Sequence, residues 1–303
     1  MTQDKSVVSI DLSVALLTLG GDELRARLVS DTPPRLPFGP FFPHTHRTME
    51  SGLRQWVREQ VGVTLGHVEQ LYTFGDHDRD DKGGHVVSVG YLALTHVGAQ
   101  ADEDDWRSVY DFFPWEDWRK GRPACLDAAI LPSLDGWAHQ GEARERVRLA
   151  FGRDAHIWDE EYALERYELL YEAGLVPEAV ADGHAAALPK TAADGAPLQL
   201  DHRRILATAL GRLRGKLKYR PVIFDLMPDS FTLTQLQNTA EAVLGVGLHK
   251  QNFRRLVEKS GFLTATGDRS HARGRPAKTF RFRHESRAER PLAGLRIAPR
   301  RRQ

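Results

Sequence analysis

The sign of the charge inverts along this chain, and the inversion divides it in two. Residues 1–200 carry 19 Lys/Arg against 33 Asp/Glu and residues 201–303 carry 23 against 8, so a formal charge of +1 conceals an acidic body and a basic tail third. Such asymmetry is expected when only one of two domains has to meet a polyanion. At 303 residues, 41% hydrophobic and 27% charged, the chain can bury a sizeable core and is long enough for two ordinary domains, which excludes disorder and a single small fold. Its one cysteine, Cys125, cannot close an intramolecular disulfide, and no apolar run approaches the ~20 residues that cross a bilayer. The expected compartment is the cytoplasm, with neither a signal peptide nor a membrane span.

In the acidic part, β-branched and apolar residues from Val7 to Leu19, punctuation at Gly20, Gly21 and Asp22, and alternation from Arg25 to Ser30 predict a β-hairpin. A loop rich in proline follows. Met49, Leu53, Trp56, Val57 and Val61 then recur at spacings of three and four, which predicts an amphipathic helix over 47–61 stopped by Gly62. Strands are predicted at Val68–Phe74 and Val86–Leu94, on either side of a charged loop, giving a mixed α/β domain. Trp106, Trp115, Trp118, Trp137 and Trp158 read as core or domain-packing residues. A helix is expected from about Asp159 to Gly174, and the stretch from Val180 to Pro197, rich in Ala, Gly and Pro, reads as a connector.

The basic part opens with a helix over Asp201–Leu217, whose apolar stripe (Ile205, Leu206, Ala209, Leu210, Leu213) is surrounded by Arg203, Arg204, Arg212, Arg214 and Lys216. Thr232 and Gln235 have the spacing of a capping box opening a second helix, which stops near Gly245 and Gly247. A third, Leu248–Ser260, places Phe253, Leu256 and Val257 on one side and basic residues on the other, with Gly261 as its stop. Two strands, Phe262–Thr266 and Lys278–Arg283, enclose a loop containing Arg273 and Arg275. Helices followed by a hairpin make a winged helix-turn-helix. His249, Lys250, Gln251, Asn252, Arg254 and Arg255 are the candidate DNA contacts, long donors for phosphates and fork or amide groups for base edges. Arg273 and Arg275 suit a minor groove. The terminal Arg300, Arg301 and Arg302 would add contacts blind to sequence. The competing reading is a solvated basic face, or one that contacts the acidic part of its own chain.

Catalytic signals are sparse. Asp76, Asp78, Asp80 and Asp81, and Asp102, Glu103, Asp104 and Asp105, form acidic clusters that match no EF-hand spacing and read as solvated surface. His44 and His46 lack a third zinc ligand. No nucleophile elbow, P-loop or dinucleotide fingerprint is present. No catalytic residue and no metal ligand is assigned.

The stretch from Leu36 to Val63 resembles a Nudix box, G-x5-E-x7-R-E-U-x-E-E-x-G-U, anchored on Gly62 and Val63. Val57 and Glu59 are kept. Phe41 replaces the first Gly, Arg47 the first Glu, Gln55 the Arg, Trp56 the next Glu and Gln60 the last. Hydrolysis in active members needs several carboxylates on one helix face to hold Mg²⁺, and only Glu59 remains, Glu50 falling on the opposite side. A pocket of this kind could bind a nucleoside diphosphate without cleaving it, with Arg47 or Arg79 on phosphate and Phe38 or Tyr72 on a base.

Taken with Y-T-F-G-D-H-D-R-D (72–80), V-V-S-V-G-Y-L-A-L (86–94), K-Y-R-P-V-I-F-D-L-M-P-D-S-F-T-L-T-Q-L-Q (218–237), L-H-K-Q-N-F-R-R-L-V-E (248–258) and G-R-P-A (274–277), the chain resembles the Nudix-related transcriptional regulators of NAD metabolism. The resemblance implies an α/β Nudix-like α-β-α sandwich followed by an α+β winged helix-turn-helix domain. The expected divisions are a ligand-sensing domain over 1–155, a helical connector over 156–200, a DNA-binding domain over 201–290 and a basic tail over 291–303. It also implies a homodimer on a palindromic operator of double-stranded DNA, probing for ADP-ribose or a related NAD-derived nucleotide as effector and needing no cofactor. The expected signal route is a shift in the packing of the 159–174 helix. Two alternatives are a Nudix hydrolase with a docking domain for nucleic acid, and an architectural DNA binder with no nucleotide ligand.

Overall fold

The computed structural model describes residues 8–75, 85–98, 105–189, 195–270 and 276–283. Strands β1 (Val8–Gly20) and β2 (Glu23–Arg27) form the expected hairpin. β3 (Phe38–Pro40), α1 (Met49–Val61), β4 (His67–Phe74), β5 (His85–Leu94) and β6 (Trp106–Ser108) follow. The strands make one mixed sheet in the order β4-β5-β1-β2-β6, with β3 against the first part of β1 and β1 parallel to β5. β1 and β5 are central, so both of their faces are buried, and their sequences run nearly continuously apolar instead of alternating.

One face is covered by α1. Its start is fixed by Thr48, whose Oγ1 accepts from the Ser51 amide at 3.0 Å while Ser51 Oγ accepts from the Thr48 amide at 2.9 Å. Its stop is Gly62 at φ 69°. Leu53 and Val57 pack on Leu12, Val14, Leu16, Val89, Tyr91 and Ala93. The opposite face, with Ala15, Leu17, Leu92 and Leu94, is covered by the long helix from residue 202. Between lies the Trp-rich region: α2 (Val109–Phe112), α3 (Leu131–Trp137), α4 (Gly141–Ala150), α5 (Ala163–Glu172) and α6 (Pro177–Ala181). Trp106, Trp115 and Trp158 are buried, and Trp118 and Trp137 pack against the core.

The long helix, α7 (His202–Tyr219), corrects the sequence reading. It was expected to present a basic exterior; instead it is packed on the sheet as the second helical layer of the sandwich, while its far half also meets α8. Its apolar stripe covers the sheet, and of the basic residues around the stripe Arg203 and Arg214 are completely buried, Arg204 and Lys216 are half-buried and Arg212 alone is exposed. The cause is a second contact on its other side, with α5 and the segment before it. Gly211 and Gly215, one turn apart, admit that segment. A Cβ on Gly211 would stand 2.6 Å from the Glu161 carbonyl oxygen, and one on Gly215 would stand 2.7 Å from the Glu161 carboxylate.

Gly211→Ala therefore sets two effects against each other. Helix propensity gains about 1 kcal/mol, but overpacking against a main-chain carbonyl costs about 1–3 kcal/mol, so a net loss is expected. In Gly136→Ala, where nothing lies within 4 Å of the new Cβ, only the gain of about 0.4–1 kcal/mol should remain. Urea midpoints of the two variants should move in opposite directions, and an upward shift for Gly211→Ala would contradict the packing.

The remaining elements are a 3-10 turn over Val222–Leu226, β7 (Phe231–Thr232), α8 (Leu233–Leu244), α9 (Lys250–Ser260), β8 (Leu263–Arg269) and β9 (Lys278–Phe282). The strands pair in the order β7-β9-β8. The expected capping box on Thr232 and Gln235 is present, and Gly245 and Gly261 end α8 and α9 at φ 70°. Phe224, Phe231, Phe262 and Phe282 cluster beneath, with Phe224 stacked on Phe282 at 4.2 Å. This is the expected winged helix. Among the described residues no helix is long and apolar enough to cross a membrane.

Candidate functional site

At the Nudix-like helix, Trp56 stands where the active pattern has a metal-binding Glu. Its indole Nε1 donates to the Pro40 carbonyl at 3.0 Å, and its ring occupies the space a side chain at Gly39 would need. His46 is buried beside it, ring edge to Trp56 at 6.1 Å, and its Nδ1 accepts from the Phe42 amide at 3.1 Å. Gly52 makes the room, since a Cβ there would lie 2.5 Å from His46 Nδ1. An aromatic wedge thus fills the notch between α1 and the loop before it. The two remaining carboxylates on α1 are exposed and already engaged, Glu59 accepting from Gln55 at 2.8 Å and Glu50 from Arg54 at 2.9 Å. Among the described residues no group of three His, Cys, Asp or Glu side chains could hold a metal.

The candidate ligand residues are not gathered into one enclosed pocket. Phe38 is half-buried, its ring already between the Arg35 guanidinium at 4.8 Å and the His202 ring at 5.2 Å, while Gln60 bonds both its amide and its carbonyl. Arg47 is exposed at the start of α1. Tyr72 on β4 is 68% exposed, edge-on to Phe74, so its face is open for stacking. Arg79 and the acidic clusters lie outside the described residues, except Asp105, which pairs with Arg27 at 3.1 Å. An open cleft of about 470 Å³ lies at the other end of α1, between Gly62–Thr64 and Thr95–Gly98, and none of the candidates lines it.

The nucleic-acid candidates are brought together on α9. Phe253 and Val257 anchor the helix, which puts Gln251, Arg255 and Lys259, one turn apart, on the outermost stripe, with Asn252 beside them. His249, Lys250, Gln251, Asn252 and Arg255 are exposed; Arg254 is half-buried. Arg269, Lys278 and Arg281 are exposed on the hairpin strands, and Arg283 just after them. Arg273, Arg275 and the basic tail lie outside the described residues.

The basic residues of α7 do something else. Arg203 donates from Nη1 to Glu178 at 3.1 Å and from Nε to the Phe112 carbonyl at 3.1 Å; Arg204 pairs with Glu168 at 2.6 Å, and Lys216 with Glu69. Part of the charge split is thus neutralised within the chain, the competing reading for this helix.

Arg214 belongs to a group that sequence reasoning missed. Glu116 is fully buried between Arg166 and Arg214, each donating to it at 2.5 Å. The surplus positive charge is met by main-chain carbonyls: Ala150 and Asp159 for Arg166, Glu160 and Val243 for Arg214. Burial pushes the Glu116 carboxyl up, but the two guanidiniums outweigh it and hold the group below the usual carboxylate range. Tyr110, whose phenol burial pushes up, donates to the Ala242 carbonyl at 2.7 Å. The Trp118 main-chain amide donates to the Gly245 carbonyl at 2.6 Å. The one visible signal was Gly211 with Gly215, a costly pair inside a helix that implies close approach.

Comparison with known proteins follows these two regions. Residues 223–282 match the model of the NrtR DNA-binding winged helix domain. The chain is similar to the ADPR responsive transcriptional repressor NtrR of Acinetobacter baylyi, 42% identical over 85 residues, which are 28% of this chain and 34% of that protein. The match therefore spans about a third of the relative's length. Among solved structures, the chain is similar to Shewanella oneidensis NrtR complexed with a 27mer DNA, 20% identical with a TM-score of 0.57, over 92% of this chain and 95% of that one. It is also similar to a MutT/nudix family protein from Enterococcus faecalis, 20% identical with a TM-score of 0.54, over 93% and 90% of the two chains. At these identities the likeness is one of fold: a Nudix-like α/β domain followed by a winged helix.

Proposed function

We infer, from a Nudix-like domain that carries an NrtR-type winged helix, that this chain is a DNA-binding transcriptional repressor of genes for NAD synthesis or salvage. Its effector is ADP-ribose or a related NAD-derived nucleotide, bound without turnover. The observation that carries the reading is the outer stripe of α9: Gln251, Asn252, Arg255 and Lys259 stand exposed on a helix held from below by Phe253 and Val257. Such a stripe combines amide and guanidinium forks for base edges with an ammonium for phosphate.

The non-catalytic reading is supported by Trp56, which puts an indole where diphosphate cleavage needs a metal-holding carboxylate. Arg47 and the open face of Tyr72 remain as candidates for phosphate and base. A homodimer on a palindromic operator, its half-sites about 34 Å apart, suits one winged helix per chain. The reading places the protein with the DNA, in the cytoplasm. An effector changes DNA affinity only by binding one arrangement of the dimer better than the other.

Fluorescence anisotropy tests this directly. Full-length protein at fixed salt should bind promoter fragments of NAD-metabolism genes more tightly than a scrambled duplex, and ADP-ribose should weaken that binding. Weak binding indifferent to sequence and nucleotide, with product released from ADP-ribose in Mg²⁺, would establish a hydrolase instead.

A further inference from the structure

We propose that α7 is a strut that carries the effector's signal to the helix-turn-helix, gripped at its start by the loop before β3 and at its far end by the Glu116 cluster. The proposal rests on the regulator reading above and names its route. The expected route was the 159–174 helix; α7 instead bonds both the loop before β3 and α8, beside a direct contact of α8 with the β1–β2 hairpin, where Asn238 donates to Asp22 at 2.8 Å.

At the start of α7, His202 Nδ1 accepts from the Leu36 amide at 3.2 Å and its ring meets Phe38. Gln199, just ahead, donates to the Pro33 and Pro34 carbonyls at 2.7 and 3.0 Å. Any rearrangement of residues 33–38 on ligand binding therefore acts on the first turn of α7. Twelve residues on, about 18 Å along the axis, Arg214 donates to the Val243 carbonyl near the end of α8 at 3.0 Å. In between the helix is buried on both sides, and packed interiors shift as units instead of deforming.

The far end is built to sense position. Two fully buried guanidiniums share one carboxylate, leaving a surplus positive charge in the interior. The C-terminal carbonyls of α8 are the negative end of a helix dipole, and they meet that surplus through Arg214. Tyr110 donates to the Ala242 carbonyl beside them. If α7 moves relative to α8, a buried charge loses its partner, so the seat favours one discrete orientation of the α8–α9 unit. Gly245, where the turn begins, is held against Glu116 so closely that its Cβ would strike the Glu116 carbonyl.

Tyr110→Phe and His202→Leu test the strut at its two ends without removing a charge of the ion cluster or a residue of α9; the Tyr110 hydroxyl also lies 3.5 Å from Arg214 Nη2, but Arg214 keeps its bonds to Glu116 and to the Val243 carbonyl in the variant. The readout is the ratio of operator dissociation constants with and without saturating ADP-ribose, at melting temperatures showing that each variant is folded. Tyr110→Phe should reduce the ratio about fivefold, the factor one neutral hydrogen bond supplies, while effector-free DNA affinity stays near wild type. His202→Leu should act in the same direction; if it fails to fold, Tyr110→Phe decides alone. Folded variants with the full wild-type ratio would overturn the strut and leave the regulator reading intact. A wild-type chain whose DNA binding ignores ADP-ribose would overturn both.

Discussion

Glu116→Gln should cost about 3–5 kcal/mol of stability, the loss typical when one partner of a buried ion pair is removed. The substitution is nearly isosteric, so packing is not the cause. It leaves the Arg166 and Arg214 guanidiniums, both fully buried, with no counter-charge, and turns one carboxylate oxygen into an amide that presents hydrogens to a donor. A domain's total stability is on the order of 5–15 kcal/mol, so the variant should unfold at a much lower urea concentration or fail to accumulate. Asp127→Asn removes an equally well-formed partner of Arg122, but an exposed one, and should cost no more than about 1 kcal/mol. Urea midpoints for the pair decide the matter. If Glu116→Gln lost no more than Asp127→Asn, the buried cluster would not be holding the Nudix-like domain and the winged helix together.

In DNA binding, the largest single loss should come from Arg255→Ala. Arg255 lies about opposite the buried Phe253 and Val257, the direction that faces a major groove, with Gln251 and Lys259 above and below it. If its fork reads a guanine edge, truncation should weaken operator binding by about 1–3 kcal/mol and relax preference at one base pair. Lys259→Ala should instead weaken all duplexes alike and lower the salt slope by roughly one. Anisotropy titrations on the operator and on single-base variants, each at several salt concentrations, separate the two. Equal losses on every duplex for both variants would show that α9 contacts phosphates without reading bases. Arg254 is half-buried, so its truncation should combine a smaller binding loss with lost packing.

Local chemistry was legible in the sequence wherever one residue type decides a backbone choice. Gly62, Gly245 and Gly261 end helices in the left-handed conformation, and the Thr232–Gln235 box opens α8, as their spacing predicts. The α1 and α9 stripes were legible for the same reason, each having one buried side. The stripe of α7 was legible too, but its second buried side was not, because the partner there is polar. An arginine that bonds a buried carboxylate and a carbonyl looks, in a charge count, like one in water, so Arg203 and Arg214 were read as exterior. The ligand side was the least legible. Phe38 is a plausible stacking residue from its loop position, but only coordinates show Arg35 and His202 already on its ring.

The seat of the winged helix has a consequence for how its specificity can change. The bonds from Tyr110, Arg214 and Trp118 all end on carbonyls of Ala242, Val243 and Gly245, atoms that every amino acid possesses. Besides the Asn238 amide, which donates to Asp22 at 2.8 Å, these bonds depend on the length of α8 and a glycine at its end, not on the side chains of α9. On the regulator reading, substitutions along α9 can therefore retarget the molecule to another operator without renegotiating its attachment, whereas a graft spliced at residue 200 would strip the sheet of the helix that covers it.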